Sequence, residues 1–283
     1  MKYLYYNGEI ISKEKVCVSI ADLGFLRGYG VFDALKTING KPFLLEEHFD
    51  RLQKSSELLG INLQISKKEF VDILGFLLKK NKVNQDVYVK TIVTGGISPN
   101  GLKLNEKPTV LVMIGELQKV SLPPITYREG IKTSLLEYQR MFPEIKTLNY
   151  LGAIINQKNN ERRGVKEVVY YYNGRLLEGG TSNVFLVKNE KVITSQNNIL
   201  PGVTRNFLIE ICRKNNYLLE EREVALDEVW TADEMFLTGT FKDILPVIEV
   251  DGKKISTGKV GKLTEKLMGL FVKEVKKLTH SEE

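Results

Sequence analysis

A lysine stands inside the mostly apolar run Pro143-Glu144-Ile145-Lys146-Thr147-Leu148-Asn149-Tyr150-Leu151, and further along comes Leu177-Glu178-Gly179-Gly180-Thr181-Ser182-Asn183-Val184-Phe185. Desolvation disfavours an ammonium, so a lysine in such a setting gives up its proton readily. A neutral amine is what an imine with a carbonyl cofactor needs. Glu178, followed by small flexible residues at an expected strand edge, can sit under a heterocycle and hold one ring nitrogen protonated. A lysine imine with an acidic partner for a pyridinium is the pairing that pyridoxal phosphate chemistry uses. Taken alone, Lys146 reads more simply as a snorkelling surface side chain. The two residues together, in this order, carry the signal.

That chemistry needs an anion site, and the sequence offers three elements for one. Leu200-Pro201-Gly202-Val203-Thr204-Arg205 precedes the apolar-periodic run Asn206 to Cys212. Gly202 lets backbone approach a ligand, and the free N–H groups at a helix start favour an anion. The plain alternative is a loop-to-helix junction punctuated by Pro and Gly. Thr238-Gly239-Thr240 ends a strand and can present N–H groups and a hydroxyl to a phosphate. Arg51 reads either as an exposed helical arginine or as a bidentate guanidinium reaching the same phosphate.

Composition narrows the field. Of 283 residues 42% are hydrophobic and 27% charged, ordinary for a soluble globular chain and long enough for two domains. No apolar stretch approaches the roughly eighteen residues of a membrane span, and no basic-then-apolar signal opens the chain, so a cytoplasmic protein is expected. The histidines are His48, within an expected helix, and His280, in a polar tail. A histidine-based zinc site or a Ser-His-Asp triad would rest on His48 alone, and no metal site is expected. Cys17 and Cys212 match no metal or redox spacing, and Cys17, in the alternating run Val16 to Ile20, reads as a small core residue. The net charge of +6 comes from scattered lysines without aromatic interleaving, so no nucleic-acid partner is expected.

The elements that must position these residues fall into two groups. Tyr3 to Ile10 reads as a strand and turn with an Asn-Gly hairpin signal, and Val31 to Ile38 as a strand closed by Asn39-Gly40. Glu46 to Leu59 reads as a helix stopped by Gly60. Ser66 and Glu69 form a capping box for the next helix, and Val87–Thr94 and Thr109–Ile114 read as strands. The pattern lapses around Glu116 to Pro124. Beyond it, strands Val168–Tyr172, Val184–Val187 and Met235–Leu237 mix with helices Thr147–Arg163, Val203–Asn215 and Val260–Lys277. The expected architecture is a small α+β domain over 1–117, a linker over 118–125 and a larger α/β cofactor-binding domain over 126–283.

Lys146, Glu178, Leu200–Arg205 and Thr238–Thr240 occur in an order that resembles the fold-type-IV pyridoxal-phosphate enzymes, which include branched-chain aminotransferases, D-amino-acid aminotransferases and aminodeoxychorismate lyase. The likeness runs from Asn7-Gly8 through Gly258-Lys259-Val260. It implies that Lys146 is the imine lysine and proton shuttle, that Glu178 pairs with the pyridine nitrogen, and that Arg51, Val203, Thr204 and Thr240 hold the phosphate. Leu200 would buttress one ring face and Tyr150 would bond the phenolic oxygen. The family fold is a small α+β domain and a larger α/β domain with the cofactor between them, and a homodimer in which partner loops complete the pocket.

Within that family the residues point in more than one direction. Asn100 and Leu102 stand where D-amino-acid enzymes carry an arginine and a histidine that grip the substrate carboxylate. Yet Pro246 to Lys253 and Gly258 to Gly261 resemble the D-amino-acid branch. Leu26 to Asp33 with Thr94-Gly95-Gly96 resembles a less typical D-amino-acid group in which Arg27 would hold the carboxylate. A surface arginine in a Gly-rich turn is the alternative. Phe32, Gly239 and Thr240 complete the expected substrate contacts. Leu200-Pro201-Gly202 and Tyr150 lean toward branched-chain enzymes, and Gly96 to Gly101 toward the lyase. The resulting expectation is a transaminase acting on an amino acid and a 2-oxo acid such as 2-oxoglutarate or pyruvate. D-amino acids come ahead of branched-chain L-amino acids, with the lyase or a non-enzymatic two-domain binding protein further behind.

Overall fold

Asn7 and Gly8 both take left-handed backbone, with φ of 46° and 98°. That is the geometry a two-residue hairpin turn demands, and it joins β1 (Tyr3–Tyr6) to β2 (Glu9–Ser12). The structure is a computed structural model and describes residues 1–279. His280, read above as part of a polar tail, lies outside the described residues. The chain divides into two units, Met1–Val120 with Ile145–Asn149, and Ser121–Glu144 with Tyr150–Glu283.

In the first unit α1 (Leu23–Arg27) opens on Asp22, whose carboxylate accepts from Gly24 N at 2.7 Å, and closes on Gly28 at φ 64°. Then come β3 (Gly30–Ile38), β4 (Lys41–Pro42), α2 (Leu45–Leu58), α3 (Lys67–Lys80), β5 (Val87–Thr94) and β6 (Thr109–Glu116). The strands form one sheet in the order β2-β1-β6-β5-β3-β4. Ser66 and Glu69 make the expected reciprocal capping box at the start of α3. Phe49 of α2 and Phe70, Leu74 and Leu77 of α3 pack with Leu35, Val89 and Val112 from the strands, so the two helices cover one face. The other face carries Phe32 and Lys90.

The second unit holds α4 (Pro124–Glu129), β7 (Ile131–Glu137), α5 (Leu151–Arg162), β8 (Glu167–Tyr172), β9 (Arg175–Gly179), β10 (Asn183–Lys188) and β11 (Lys191–Ser195). It continues with α6 (Val203–Lys214), β12 (Leu219–Arg222), β13 (Val224–Ala225), α7 (Glu228–Thr231), β14 (Glu234–Gly239), β15 (Asp243–Val250), β16 (Lys253–Lys254) and α8 (Lys262–Thr279). The strands run β12-β11-β10-β14-β15-β7-β8-β9-β13. Glu178 of β9 also pairs with Asn183 of β10, so the path β10-β14-β15-β7-β8-β9 returns on itself. Met235 and Leu237 of β14 point to one core, and Phe236 to another that α6 and α8 cover.

Four details differ from the sequence reading. The helix expected over Thr147–Arg163 begins only at Leu151. Ile145 is buried with Val31 and Val93, and the backbone around Lys146 and Thr147 bonds to β3 instead of winding. Cys17 is exposed, because Val16 to Ser19 follow a short 3-10 turn without joining the sheet. Pro124, placed in a stiff irregular stretch, starts α4 at the first helical position, where its missing N–H costs nothing. Pro246 lies inside β15 opposite Phe236, although proline is disfavoured within a strand because it cannot donate to the ladder.

Candidate active site

Lys146 is held from its backbone. Its carbonyl accepts from Phe32 N at 3.0 Å, its own N–H donates to Ser55 Oγ at 3.2 Å, and Thr147 bridges Val31. The ammonium lies over the Phe32 ring, 4.6 Å from its centroid. Lys90 Nζ stands 5.0 Å from the same ring. Sequence reasoning singled out Lys146 and Phe32 but gave Lys90 no role.

Behind them is a buried triad. Asp33 on β3 receives Arg51 Nε at 2.7 Å and Arg51 Nη2 at 3.0 Å, a two-point grip, and His48 Nδ1 lies 2.7 Å from Asp33 Oδ1. The Arg51 side chain is only 9% exposed, so it is not the solvated helical arginine of the plain reading. Asp33 occupies its fork, and Nη1 makes no hydrogen bond among the described residues. His48 is buried against Asp33. Burial pulls its pKa below the ordinary imidazole value despite the Asp33 charge, so the ring is neutral and donates Nδ1–H to the carboxylate.

In the second unit Glu178 is buried, and its two oxygens have separate partners. Arg140 Nε donates to Oε1 at 2.7 Å and Leu200 N donates to Oε2 at 2.9 Å. Arg140 also donates to Pro143 O. Leu200 is thereby tied to Glu178 just before α6. Arg140 escaped the sequence reading; the one available hint was an arginine between Tyr138 and the Pro143-to-Lys146 run.

Gly202 caps α6 without a side-chain hydrogen bond, and Val203 and Thr204 form its buried first turn. A Cβ on Gly202 would stand 2.0 Å from Asn183 Oδ1, so a larger residue there would have to displace the Asn183 side chain, which donates to Leu200 O. Asn183 pairs with Thr238, whose buried Oγ1 has no hydrogen-bond partner. Gly202 thus opens α6 without a side-chain cap and against Asn183, and free N–H groups at a helix start favour an anion. Gly239 and Thr240 follow in the turn that Lys242 N closes on Gly239 O at 3.0 Å. Tyr150 stands half-buried at the start of α5.

Arg27 is exposed at the end of α1, and its Nη2 lies 3.6 Å from where a Gly101 Cβ would stand. That places it beside the loop of Asn100 and Leu102. Asn100 Oδ1 accepts from Leu102 N and Lys103 N and is engaged within its own loop. Lys146, Phe32, Arg51 and Arg27 thus belong to the first unit. Tyr150, Glu178, Leu200, Val203, Thr204, Gly239 and Thr240 belong to the second.

Residues 30–250 match the family model for amino-transferase class IV. The chain belongs to the class IV aminotransferase family. A putative branched-chain-amino-acid aminotransferase of Methanocaldococcus jannaschii is 32% identical over 95% of this chain and 94% of its own. An aminodeoxychorismate lyase of Bacillus subtilis is 32% identical, covering 98% and 96%, and a D-alanine aminotransferase of Listeria monocytogenes is 30% identical, covering 95% and 94%. The solved branched-chain amino acid aminotransferase of Escherichia coli superposes with a TM-score of 0.88 at 23% identity, covering 99% of this chain and 96% of that one. A second solved branched-chain enzyme with the same TM-score holds pyridoxamine 5'-phosphate. The aminotransferase has the fold-type-IV fold, and its cofactor is pyridoxal 5'-phosphate. The uncapped start of α6 and the glycine at 202 suit the phosphate of that cofactor, and the buried, ion-paired Glu178 suits its ring nitrogen.

Among the described residues no three metal-ligating side chains cluster, and no helix is long and apolar enough to cross a membrane.

Two buried carboxylates of this aminotransferase set its behaviour in acid. Burial alone would raise the Asp33 pKa, but the Arg51 charge and the hydrogen bonds from Arg51 and His48 hold it below the ordinary value. Burial is likewise overcome for Glu167, through Lys242, Thr181 and Ser182. A depressed carboxylate pKa contributes stability that is present above the unfolded value near 4 and is lost as pH falls through the folded one. His48, also depressed, withdraws stability as pH falls below about 6.5. The melting temperature should therefore decline gently from about pH 6.5 and steeply below about pH 4. A melting temperature that holds level down to pH 3 would contradict this.

Proposed function

We propose that this aminotransferase moves an amino group between an amino acid and a 2-oxo acid such as 2-oxoglutarate or pyruvate, with D-amino acids as donors. The observation that carries the chemistry is Glu178, a buried carboxylate fixed by Arg140 and the Leu200 amide immediately before an anion-seating helix start. When bound, the cofactor supplies a carbonyl that takes up the amino group and a ring that accepts the electrons left on the α-carbon. Lys146 Nζ would take the proton from the substrate α-carbon and deliver it to the cofactor carbon that ends up carrying the amino group. Glu178 holds a proton on the ring nitrogen. The first-turn amides at Val203 and Thr204, with Thr240 and Arg51, hold the phosphate, Leu200 backs the ring and Tyr150 bonds the phenolic oxygen. A charge-assisted hydrogen bond is worth about 1.5–3 kcal/mol, so Arg51→Ala should weaken cofactor binding about 10- to 100-fold. Equal affinity in titrations of both cofactor-free proteins would remove Arg51 from the site.

The D-amino-acid preference rests on Arg27, with Phe32, Gly239 and Thr240 as further substrate contacts. A substrate carboxylate must be held, since an unpaired charge in a closed pocket is costly. Asn100 and Leu102 offer no cation, and Arg27 lies beside their loop. A panel of D- and L-amino acids against pyruvate and 2-oxoglutarate tests the reading. D-amino acids should turn over fastest, and Arg27→Ala should raise their KM about tenfold or more while sparing simple primary amines. Faster turnover of L-leucine, L-isoleucine or L-valine would instead establish the second reading, a branched-chain L-amino-acid aminotransferase, which Tyr150 and Leu200-Pro201-Gly202 favour. We assign the enzyme to the cytoplasm, in accord with the exposed free thiol of Cys17. It acts as a homodimer, in accord with the exposed Leu151, Ile154 and Ile155 of α5 and Met141 and Phe142 nearby in sequence.

A further inference from the structure

Glu167 has no part in the roles above, yet it is among the most heavily bonded carboxylates of the second unit. It opens β8 with its side chain 6% exposed. Its oxygens accept from Thr181 N at 2.7 Å, Thr181 Oγ1 at 3.0 Å and Ser182 Oγ at 2.9 Å, and from the Lys242 ammonium. Lys242 Nζ also donates to Thr181 Oγ1.

Two turns meet at this pair. Gly179 to Ser182 follows Glu178 directly, closed by Gly179 N on Ser182 O at 2.8 Å and anchored by Gly180 N on Val168 O at 2.8 Å. Gly239 to Lys242 carries Thr240. The turns touch: a Cβ on Gly239 would stand 3.3 Å from Thr181 O, and one on Gly179 would stand 2.1 Å from Ser182 Oγ and 3.0 Å from Glu167 Oε1. Beside the pair is a cavity of about 480 Å³ whose wall includes Tyr150, Gly180, Thr181 and Lys242. One ionic pair therefore borders three elements assigned to the cofactor.

A pair needed for folding alone would not require this arrangement, because a buried ion pair gains little over apolar residues of the same volume. We infer that Glu167 and Lys242 are positioning residues: a buried clamp that fixes the turn after Glu178 against the turn carrying Thr240, and so sets the spacing of ring partner and phosphate contact. This rests on the transaminase reading above.

The test compares Lys242→Met, Lys242→Arg and the uncharged double variant Glu167→Gln/Lys242→Met with wild type, all as full-length chains. Amide hydrogen exchange is followed in 179–182 and 239–242 without cofactor, alongside melting temperature and the Kd for pyridoxal 5'-phosphate. Lys242→Met should speed exchange in both turns and weaken cofactor binding about tenfold or more, the loss of one charge-assisted hydrogen bond, and Lys242→Arg should restore both. The double variant leaves no buried charge unpaired, so it should regain melting temperature while exchange and Kd stay altered. Unchanged exchange in either turn overturns the clamp, as does a Kd that recovers in step with the melting temperature. If wild type bound no cofactor, the transaminase reading would fall and the exchange measurements would still decide for or against the clamp.

Discussion

Lys146→Ala is expected to fold and to lose transamination by about a thousandfold or more. Proton transfer by a positioned group contributes roughly 10²–10⁴-fold, and this amine is assigned the covalent role as well. The fold should survive because the backbone at Lys146 is held independently of its side chain, by Phe32 N, Ser55 Oγ and the Val31–Thr147 bridge. No imidazole among the described residues can substitute, since His48 is buried and donates to Asp33. Product formation from amino acid and 2-oxo acid is the measurement. Activity within tenfold of wild type would show that Lys146 moves no proton.

Glu178→Gln should bind cofactor and turn over about 10²–10³-fold more slowly, the range found when a fixed electrostatic partner of the transition state is removed. The amide keeps the shape and one carbonyl acceptor but loses the charge that holds the ring nitrogen protonated. It also leaves Arg140 without its anion in a buried setting, where its side chain is 11% exposed. Breaking such a pair costs about 3–5 kcal/mol, so the melting temperature falls too. Activity assayed well below that temperature separates the two effects. Near-normal turnover there would make Glu178 a structural partner of Arg140 and nothing more.

Features with local physical causes were legible in the sequence. The Asn7-Gly8 turn, the Ser66/Glu69 box and the glycine after α2 each fix their own backbone within a few residues. What the sequence hid depends on distant partners. Pro246 sits in β15 because Phe236 pairs with it, and Glu220 and Arg222 lie in a strand because β11 runs alongside. Thr147 reads as the start of a helix, yet β3 claims its backbone. Arg140 looks like any polar-flanked arginine until Glu178 is folded against it, and Lys242 gains meaning only beside Glu167. The candidate site was legible where a motif carried it, and obscure where a charge had to be matched across the fold.

Two ammonium groups share the Phe32 ring, Lys146 at 4.6 Å and Lys90 at 5.0 Å. The proposed chemistry requires the first to be the residue that bonds the cofactor. Borohydride reduction of the cofactor-loaded enzyme, followed by peptide mapping, decides between them. The mass of the reduced cofactor should appear on Lys146 alone; its appearance on Lys90, or on any other lysine with Lys146 unmodified, would contradict the assignment.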